Sequence, residues 1–395
     1  MKRSRLNWIM SVLFALTLVS SFSMPVRADE LEDKLKAVQT DPNNATAQYN
    51  LGVVYGEKGR FQEALDAYLK ATAINPNMPD AWYNMGLAYY ELKNPAKERE
   101  CYLKAIQYKP NMADAHYNLG LNYYDSGDFN KAIQYYKQAV AAQPNYPEAF
   151  YNMGLAYSKL GQEQEAVEQY KKAVALRPNY DKAWYNMGVS YGTMANFQEE
   201  ANSYLKALAI NPGYVNAQYN LGLAYYSMQQ YPQAIDAFSK ATQLDPKFAD
   251  AHLNLGLVYD VTGRSQDAIT EYLKVLEIQP GYAKAHYNMG VAYSNLKQFD
   301  NAYQAYQKAI QSDSNYYKAY YNLGIVCYNL KKYQEEIDNY KSAIRIQPNY
   351  VNAHYNLGLA YLGQNQTDLA RAEYNELLKY DAGTAAKLLA EINRK

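Results

Sequence analysis

The stretch Ala81-Trp82-Tyr83-Asn84-Met85-Gly86-Leu87-Ala88-Tyr89-Tyr90 decides the fold, because the chain does not write it only once. Its centre, Tyr-Asn-Leu/Met-Gly, returns at Tyr49, Tyr83, Tyr117, Tyr151, Tyr185, Tyr219, Tyr287, Tyr321 and Tyr355, and at Leu253 with Leu in place of Tyr. Every interval is 34 residues. Fixed-period self-similarity of this length is the mark of a repeat array. With the tetrad numbered as positions 5–8, ten units follow without insertion: 45–78, 79–112, 113–146, 147–180, 181–214, 215–248, 249–282, 283–316, 317–350 and 351–384.

The pattern within a unit is helical. Position 3 is Ala in all ten, position 11 is Tyr in nine (Cys327 is the exception), and position 24 is Tyr or Phe238. Apolar residues at this spacing predict helix A over about positions 2–14 and helix B over about 17–30. Pro closes position 32 in eight units. Position 33 is Asn or Gly in nine, which suits a left-handed helix-ending residue. Gly occupies position 8 in the middle of helix A throughout, from Gly52 to Gly358. Each costs ~1 kcal/mol of helix propensity relative to Ala, so a packing reason is required. The expected reason is close approach of helix B at position 20, which is Ala in seven units. Glu98, Glu200 and Glu336 replace that Ala, and burial of a carboxylate is costly. Tilted helices, or acids reaching solvent, are expected there.

These residues carry a resemblance. The unit is similar to the tetratricopeptide repeat, whose pattern is Trp at 4, Leu-Gly at 7–8, Tyr at 11, Ala at 20, an aromatic at 24, Ala at 27 and Pro at 32. Trp82 and Trp184 keep position 4. The resemblance implies an all-α, right-handed α-solenoid superhelix of stacked helix-turn-helix repeats. It also implies a carrier of partners with no chemistry of its own. The Asn-Leu/Met-Gly step is similar to that of the superhelical repeats of O-linked N-acetylglucosamine transferase, whose catalytic domain has no counterpart here. The tenth unit departs from the pattern with Leu377 and Ala382. Ala385, Leu388, Leu389 and Ile392 then form an i, i+3, i+4, i+7 stripe, read as a capping helix over 385–395. Residues 29–44 match only a helix B and are read as the N-terminal cap.

The first 28 residues read as an address. Lys2, Arg3 and Arg5 precede a mostly apolar run, Leu6–Met24, and Val26 and Ala28 stand at −3 and −1 of a cleavage site before Asp29. That is the layout of a secretory signal peptide. An uncleaved anchor is the alternative, though the run is diluted by serines and near the minimum length to span a bilayer. Either reading exports the bulk of the chain, and membrane contact is expected only through this segment if it is retained. Without it, 35 basic residues face 39 acidic ones, for a net charge of −4. That argues against a nucleic-acid binder. Two cysteines in 395 residues exclude a disulfide scaffold.

No chemistry is expected, and no metal or cofactor. His116, His252, His286 and His354 all fall at position 4, on the buried side of helix A, with no carboxylate or thiol recurring beside them in sequence. Cys101 at position 23 is placed on the outer face, and Cys327 replaces a core Tyr. No phosphate loop, Ser-His-Asp order or HExxH motif is present.

Function is sought on the inner face of helix A, at positions 2, 5, 6, 9, 12 and 13, which a helical wheel sets opposite the core stripe. Position 6 is Asn in every unit: Asn50, Asn84, Asn118, Asn152, Asn186, Asn220, Asn254, Asn288, Asn322 and Asn356. An amide carries donor and acceptor together, so such a ladder could hold an extended chain by its backbone. Equally, each Asn side chain could bond backbone between adjacent repeats. Tyr83, Tyr117, Tyr151, Tyr185 and Tyr219 at position 5 offer rigid amphipathic area or partial packing along the stack. Leu87, Leu121, Leu155 and Leu223 belong to an aliphatic stripe at position 9, read as a binding stripe or as inter-repeat packing. Positions 2 and 13 are mostly acidic in the first four units (Glu57, Asp80, Glu91, Asp114, Asp125, Glu148, against Lys159) and more basic later (Lys182, Lys284, Lys318, against Asp250). Two functions fit. One is an exported, non-catalytic adaptor holding an extended protein segment in the concave groove. The other is a glycan-binding module of a cell-envelope polysaccharide or peptidoglycan apparatus.

Overall fold

The computed structural model describes residues 28–394. The signal-peptide reading falls on residues 1–27 and Ala28, and so lies almost wholly outside the described residues. Among the described residues there are 22 helices and no strand. None of these helices is long and apolar enough to cross a membrane.

The chain divides into two compact units, up to Asn196 and from Phe197. The first holds α1 (Ala28–Thr40), α2 (Ala45–Glu57), α3 (Phe61–Ile74), α4 (Pro79–Glu91), α5 (Pro95–Tyr108), α6 (Ala113–Asp125), α7 (Phe129–Ala142), α8 (Pro147–Lys159), α9 (Glu163–Leu176) and α10 (Asp181–Thr193). The second holds α11 (Phe197–Ile210), α12 (Val215–Ser227), α13 (Tyr231–Leu244), α14 (Ala249–Val261), α15 (Ser265–Ile278), α16 (Ala283–Asn295), α17 (Phe299–Ser312), α18 (Tyr317–Asn329), α19 (Tyr333–Ile346), α20 (Val351–Gly363), α21 (Thr367–Tyr380) and α22 (Ala382–Arg394).

Helices of 13 or 14 residues are marginal alone in water. Here each packs on its chain neighbours within its unit, and helices A also touch the next helix A of the same unit. Helix A is therefore covered on several sides.

The turn from A to B has a fixed geometry. In the first repeat the Arg60 N–H bonds the Tyr55 carbonyl at 2.9 Å and the Gly59 N–H bonds the Gly56 carbonyl at 2.9 Å, which is a Schellman cap. Position 15 takes positive φ: Gly59, Gly127, Gly161 and Gly263, but also Lys93, Ala195, Gln229, Lys297, Lys331 and Asn365. These are all the positive-φ residues among the described ones, so the left-handed residue expected at position 33 is not there. Position 33 instead sits third in a turn closed by a bond such as Tyr180 N–H to Arg177 O at 3.1 Å. Pro at 32 fits the second place of such a turn. The side chain at 31 caps it, as when Asp313 Oδ1 accepts from the Asn315 N–H at 2.9 Å.

The position-8 glycines are explained by a different atom from the one expected. A Cβ on Gly86 would lie 2.4 Å from Cε1 of the buried Tyr102, at position 24, and the same holds in the other repeats described. The aromatic ring at 24, rather than the Ala at 20, requires the glycine. In the tenth unit Leu388 of α22 takes that place against Gly358. With Ala382 replacing the Pro, α22 starts three residues before the expected 385, and Ala385, Leu388 and Ile392 are buried.

The three glutamates at position 20 do not reach solvent; Glu98, Glu200 and Glu336 are buried. Glu98 accepts from Asn122 Nδ2 of the next repeat at 3.0 Å. Burial pushes the Glu200 carboxyl up to about 7, with Tyr204 partly opposing it, and pushes Glu336 up to about 7. Cys101, expected on the outer face, is buried in the cluster around Tyr68 and Met85.

Candidate functional site

The asparagine ladder is built by helix A stacking on helix A. In the first unit Asn84 Nδ2 donates to the Tyr49 hydroxyl at 3.2 Å, Asn118 to Tyr83 at 3.0 Å, Asn152 to Tyr117 at 2.7 Å and Asn186 to Tyr151 at 3.0 Å. In the second unit Asn254 donates to Tyr219 at 3.0 Å, Asn322 to Tyr287 at 3.1 Å and Asn356 to Tyr321 at 3.2 Å. Each bond joins position 6 of one repeat to position 5 of the one before. The partner is a side-chain hydroxyl, where the structural reading of the sequence expected backbone.

The position-5 tyrosine is held by its own repeat. Its ring lies against the ring at 24, as with Tyr117 and Tyr136 at 5.9 Å, and against the ring at 34, as with Tyr117 and Tyr146 at 4.9 Å. The latter contact recurs at Tyr151–Tyr180, Tyr219–Phe248, Tyr287–Tyr316 and Tyr321–Tyr350. Position 34 was not singled out in the sequence, yet it is aromatic in seven successive units, from Tyr146 to Tyr350.

One rung is broken. Leu253 has no hydroxyl, and Asn288 is buried with its Nδ2 unpartnered. An unmade bond at a buried amide costs about 1–3 kcal/mol.

These contacts decide which candidates solvent can reach. Asn84, Asn118 and Asn152 are only 5, 2 and 3 % exposed. Tyr83, Tyr117, Leu87 and Leu121 are buried with them. Asn50, Tyr151, Leu155, Tyr185 and Asn186 in the first unit are half-buried, as are Tyr219, Asn220, Leu223, Asn254, Asn322 and Asn356 in the second. The exposed large hydrophobic side chains on helix A in the second unit are Tyr226 and Tyr328 at position 12 and Val261 at position 13, with Val261 54 % and Tyr328 60 % exposed. Tyr226 and Tyr328 lie beside Tyr231 and Tyr333 at 5.9 and 6.4 Å.

The acidic end is partly neutralised within its own repeats. Asp80 faces Lys109 at 4.0 Å, Asp114 accepts from the Tyr146 hydroxyl at 2.9 Å, and Glu148 pairs with Arg177.

Where position 4 is Trp or His, its ring nitrogen bonds the preceding loop. Trp82 Nε1 donates to Pro76 O at 2.9 Å and Trp184 Nε1 to Pro178 O at 3.1 Å. His116, His252, His286 and His354 place Nε2 on Pro110, Pro246, Pro280 and Pro348 carbonyls at 2.7, 3.2, 3.0 and 2.8 Å. Trp and His interchange because each offers a ring N–H at this point. Carboxylates do stand beside two of them: Glu271 and Glu373, at position 23, lie 2.6 Å from Nδ1 of His252 and His354. They are nineteen residues away in sequence and meet only when helix B folds back. Burial works to raise the Glu271 pKa, but hydrogen bonds from His252 and Lys274 outweigh it and hold it below the usual value. Burial pushes the thiols of Cys101 and Cys327 up to about 12, away from nucleophilic reactivity.

The repeat pattern matches a known family. The tetratricopeptide repeat pattern matches residues 79–112, 147–180, 181–214, 283–316 and 351–384. Related patterns of the same repeat match 35–66, 55–93, 120–161, 203–236, 223–260, 262–297 and 326–365. The chain belongs to the tetratricopeptide repeat family. Among solved structures, one of MamA is 32 % identical over 42 % of this chain and 97 % of its own, with a TM-score of 0.40. One of YrrB, described as a tetratricopeptide protein with an unusual peptide-binding site, is 22 % identical over 50 % of this chain and 97 % of its own, with a TM-score of 0.44. The Cut9–Hcn1 hetero-tetramer of the APC/C is 15 % identical over 98 % of this chain and 95 % of its own, with a TM-score of 0.45. No curated protein matches the chain.

Proposed function

We propose that this tetratricopeptide array is a non-catalytic, exported scaffold that holds an extended polypeptide segment against its helix-A face. One observation carries the reading. At the half-exposed rungs Asn254, Asn322 and Asn356 the amide nitrogen is committed to a tyrosine hydroxyl, which leaves the amide oxygen to accept a partner's backbone N–H. Exposed Val261 and Tyr328 on α14 and α18, with exposed Tyr226 on α12, supply rigid apolar area of the kind binding surfaces use. The asparagines thus serve two purposes: the nitrogen stitches repeat to repeat, and the oxygen is offered outward where burial permits. Residues 1–28 supply the export.

The test is a cross-linking capture from the native cell envelope with wild type and a Tyr226→Ala, Val261→Ala, Tyr328→Ala triple variant. The expected result is an unchanged melting temperature and loss of a specific protein. Retention of the same protein partners by the variant sinks the reading. Loss of binding to isolated envelope glycan instead of to protein replaces it with the glycan alternative.

A further inference from the structure

His354 on α20 has an acceptor at each ring nitrogen. Nε2 lies 2.8 Å from the Pro348 carbonyl in the α19–α20 loop, and Nδ1 lies 2.6 Å from Glu373 Oε2 on α21. A neutral imidazole owns a single N–H, while a carbonyl and an ionised carboxylate offer lone pairs only. Both contacts are hydrogen bonds only when both nitrogens carry protons. The ring is 4 % exposed, so water cannot readily substitute for a lost bond.

The surroundings support the charge. From α21 come Glu373, Glu376 and Tyr380, whose ring is 5.9 Å away, with Lys379 paired to Glu376 at 2.7 Å. The flanking helix α19 carries Lys341, turned onto the Tyr361 ring at 5.7 Å, and Arg345. The last helix, α22, carries Lys387, Glu391 and Arg394, the latter two paired at 2.7 Å. His286 holds the equivalent place on α16 with its Nε2 on Pro280 O at 3.0 Å, but position 23 of its repeat is Ala305, and its Nδ1 has no partner. The two histidines differ by one carboxylate.

We propose that His354 is a pH-dependent clasp: as an imidazolium it ties the α19–α20 loop to α21, and its deprotonation frees α21 and α22 to open. The helices it secures share one apolar cluster, with Leu357, Leu377, Ala385 and Leu388 buried in it. Burial of His354 opposes its charge, but the Glu373 hydrogen bond and the Pro348 carbonyl outweigh that and hold its pKa above the usual histidine value. For His286, burial outweighs the Pro280 carbonyl and the pKa is depressed. A histidine raised on folding gives stability that is complete below its unfolded pKa, near 6.5, and is lost as pH rises through the folded value. The clasp is therefore closed in mildly acidic surroundings and released in alkaline ones.

The test uses the full described chain. Ring-nitrogen NMR reads the protonation of each histidine, and amide hydrogen exchange, corrected for intrinsic rates, reads α21 and α22 at pH 6 and pH 8.5. His354→Gln is the non-titrating control, since Gln48 occupies the same position and donates to Pro42 O at 3.3 Å. Expected is a His354 that stays doubly protonated to a higher pH than His286 does. Protection of α21 and α22 should fall between the two pH values by about tenfold for each unit by which the His354 pKa is raised, and should be flat in His354→Gln. A singly protonated His354 at pH 6, or identical pH profiles for wild type and His354→Gln, overturns the proposal. Should His354→Gln not fold, the ring titration of the wild type decides alone, with Glu373→Gln expected to lower the His354 midpoint.

Discussion

At the scale of the residue, local propensity and tertiary demand pull in opposite directions at Gly86. Alanine would improve the helix by ~1 kcal/mol, but its methyl would stand 2.4 Å from a fully buried ring. Overpacking of that kind costs about 1–3 kcal/mol, and Tyr102 is fully buried. Gly86→Ala should therefore lower the urea midpoint, by the equivalent of up to about 2 kcal/mol net. Lys331 presents the converse. It adopts φ 59°, where a β-carbon is strained, and it sits on the surface. Lys331→Gly should raise the melting temperature, the gain being about 1 kcal/mol. Glu336 is a third case. Burial raises its pKa from 4.5 to about 7, so the neutral acid belongs to the folded state. Its favourable contribution is intact below 4.5 and is lost as pH climbs through about 7. Glu336→Gln should match wild type at pH 5 and exceed it by about 1–2 kcal/mol at pH 8.5, after discounting for residual solvent screening; paired thermal melts at the two pH values check this.

At the scale of the element, helix A is the member that a wheel describes poorly. A wheel assumes one wet face and one dry face, yet helix A meets its own helix B, the preceding helix B and neighbouring helices A. The stripe at positions 5, 6 and 9 is consequently buried at Tyr83, Asn84 and Leu87 and half-open at Tyr219, Asn220 and Leu223. The ladder gives a paired prediction. Asn152→Ala removes a 2.7 Å bond and strands the buried Tyr117 hydroxyl's partner position, at a cost of about 1–2 kcal/mol. Leu253→Tyr supplies the hydroxyl that Asn288 lacks and should gain about 1 kcal/mol. Chemical denaturation of both variants measures the two signs, and a gain in neither direction would show that the rungs do not stitch the repeats.

At the scale of the whole molecule, a repeat array draws its stability from repeats and from the interfaces between neighbours. That makes the ends special, because a terminal repeat lacks a neighbour on one side. Here α1 covers α2 at one end, and α22 covers α20 and α21 at the other. In the last pair, Leu388 reaches across to Gly358 where earlier repeats use an aromatic ring. The proposed export is tested at the scale of the whole chain. If residues 1–28 are a cleaved signal, mass spectrometry of the protein recovered from its native host will find a chain beginning at Asp29. A retained Met1 or an intact apolar run would establish the anchor instead.

The sequence by itself determined the helix pairs, their phase and their breaks. Those are set by signals within one unit: Gly at 8, Tyr at 11 and 24, and Pro at 32 each constrain a few bonded neighbours, and 34-residue periodicity repeats the constraint. It also showed which residue types line helix A. Only the tertiary structure decided what they do. The nearest partners of Asn152 are Tyr117, 35 residues earlier, and through it Tyr136 and Tyr146; those of His354 are Pro348 and Glu373. Whether an amide is offered to a ligand or spent within the stack depends on the rings and hydroxyls that neighbouring helices bring to it. Burial and hydrogen-bond satisfaction belong to that packed environment, and no periodicity along a single helix contains them.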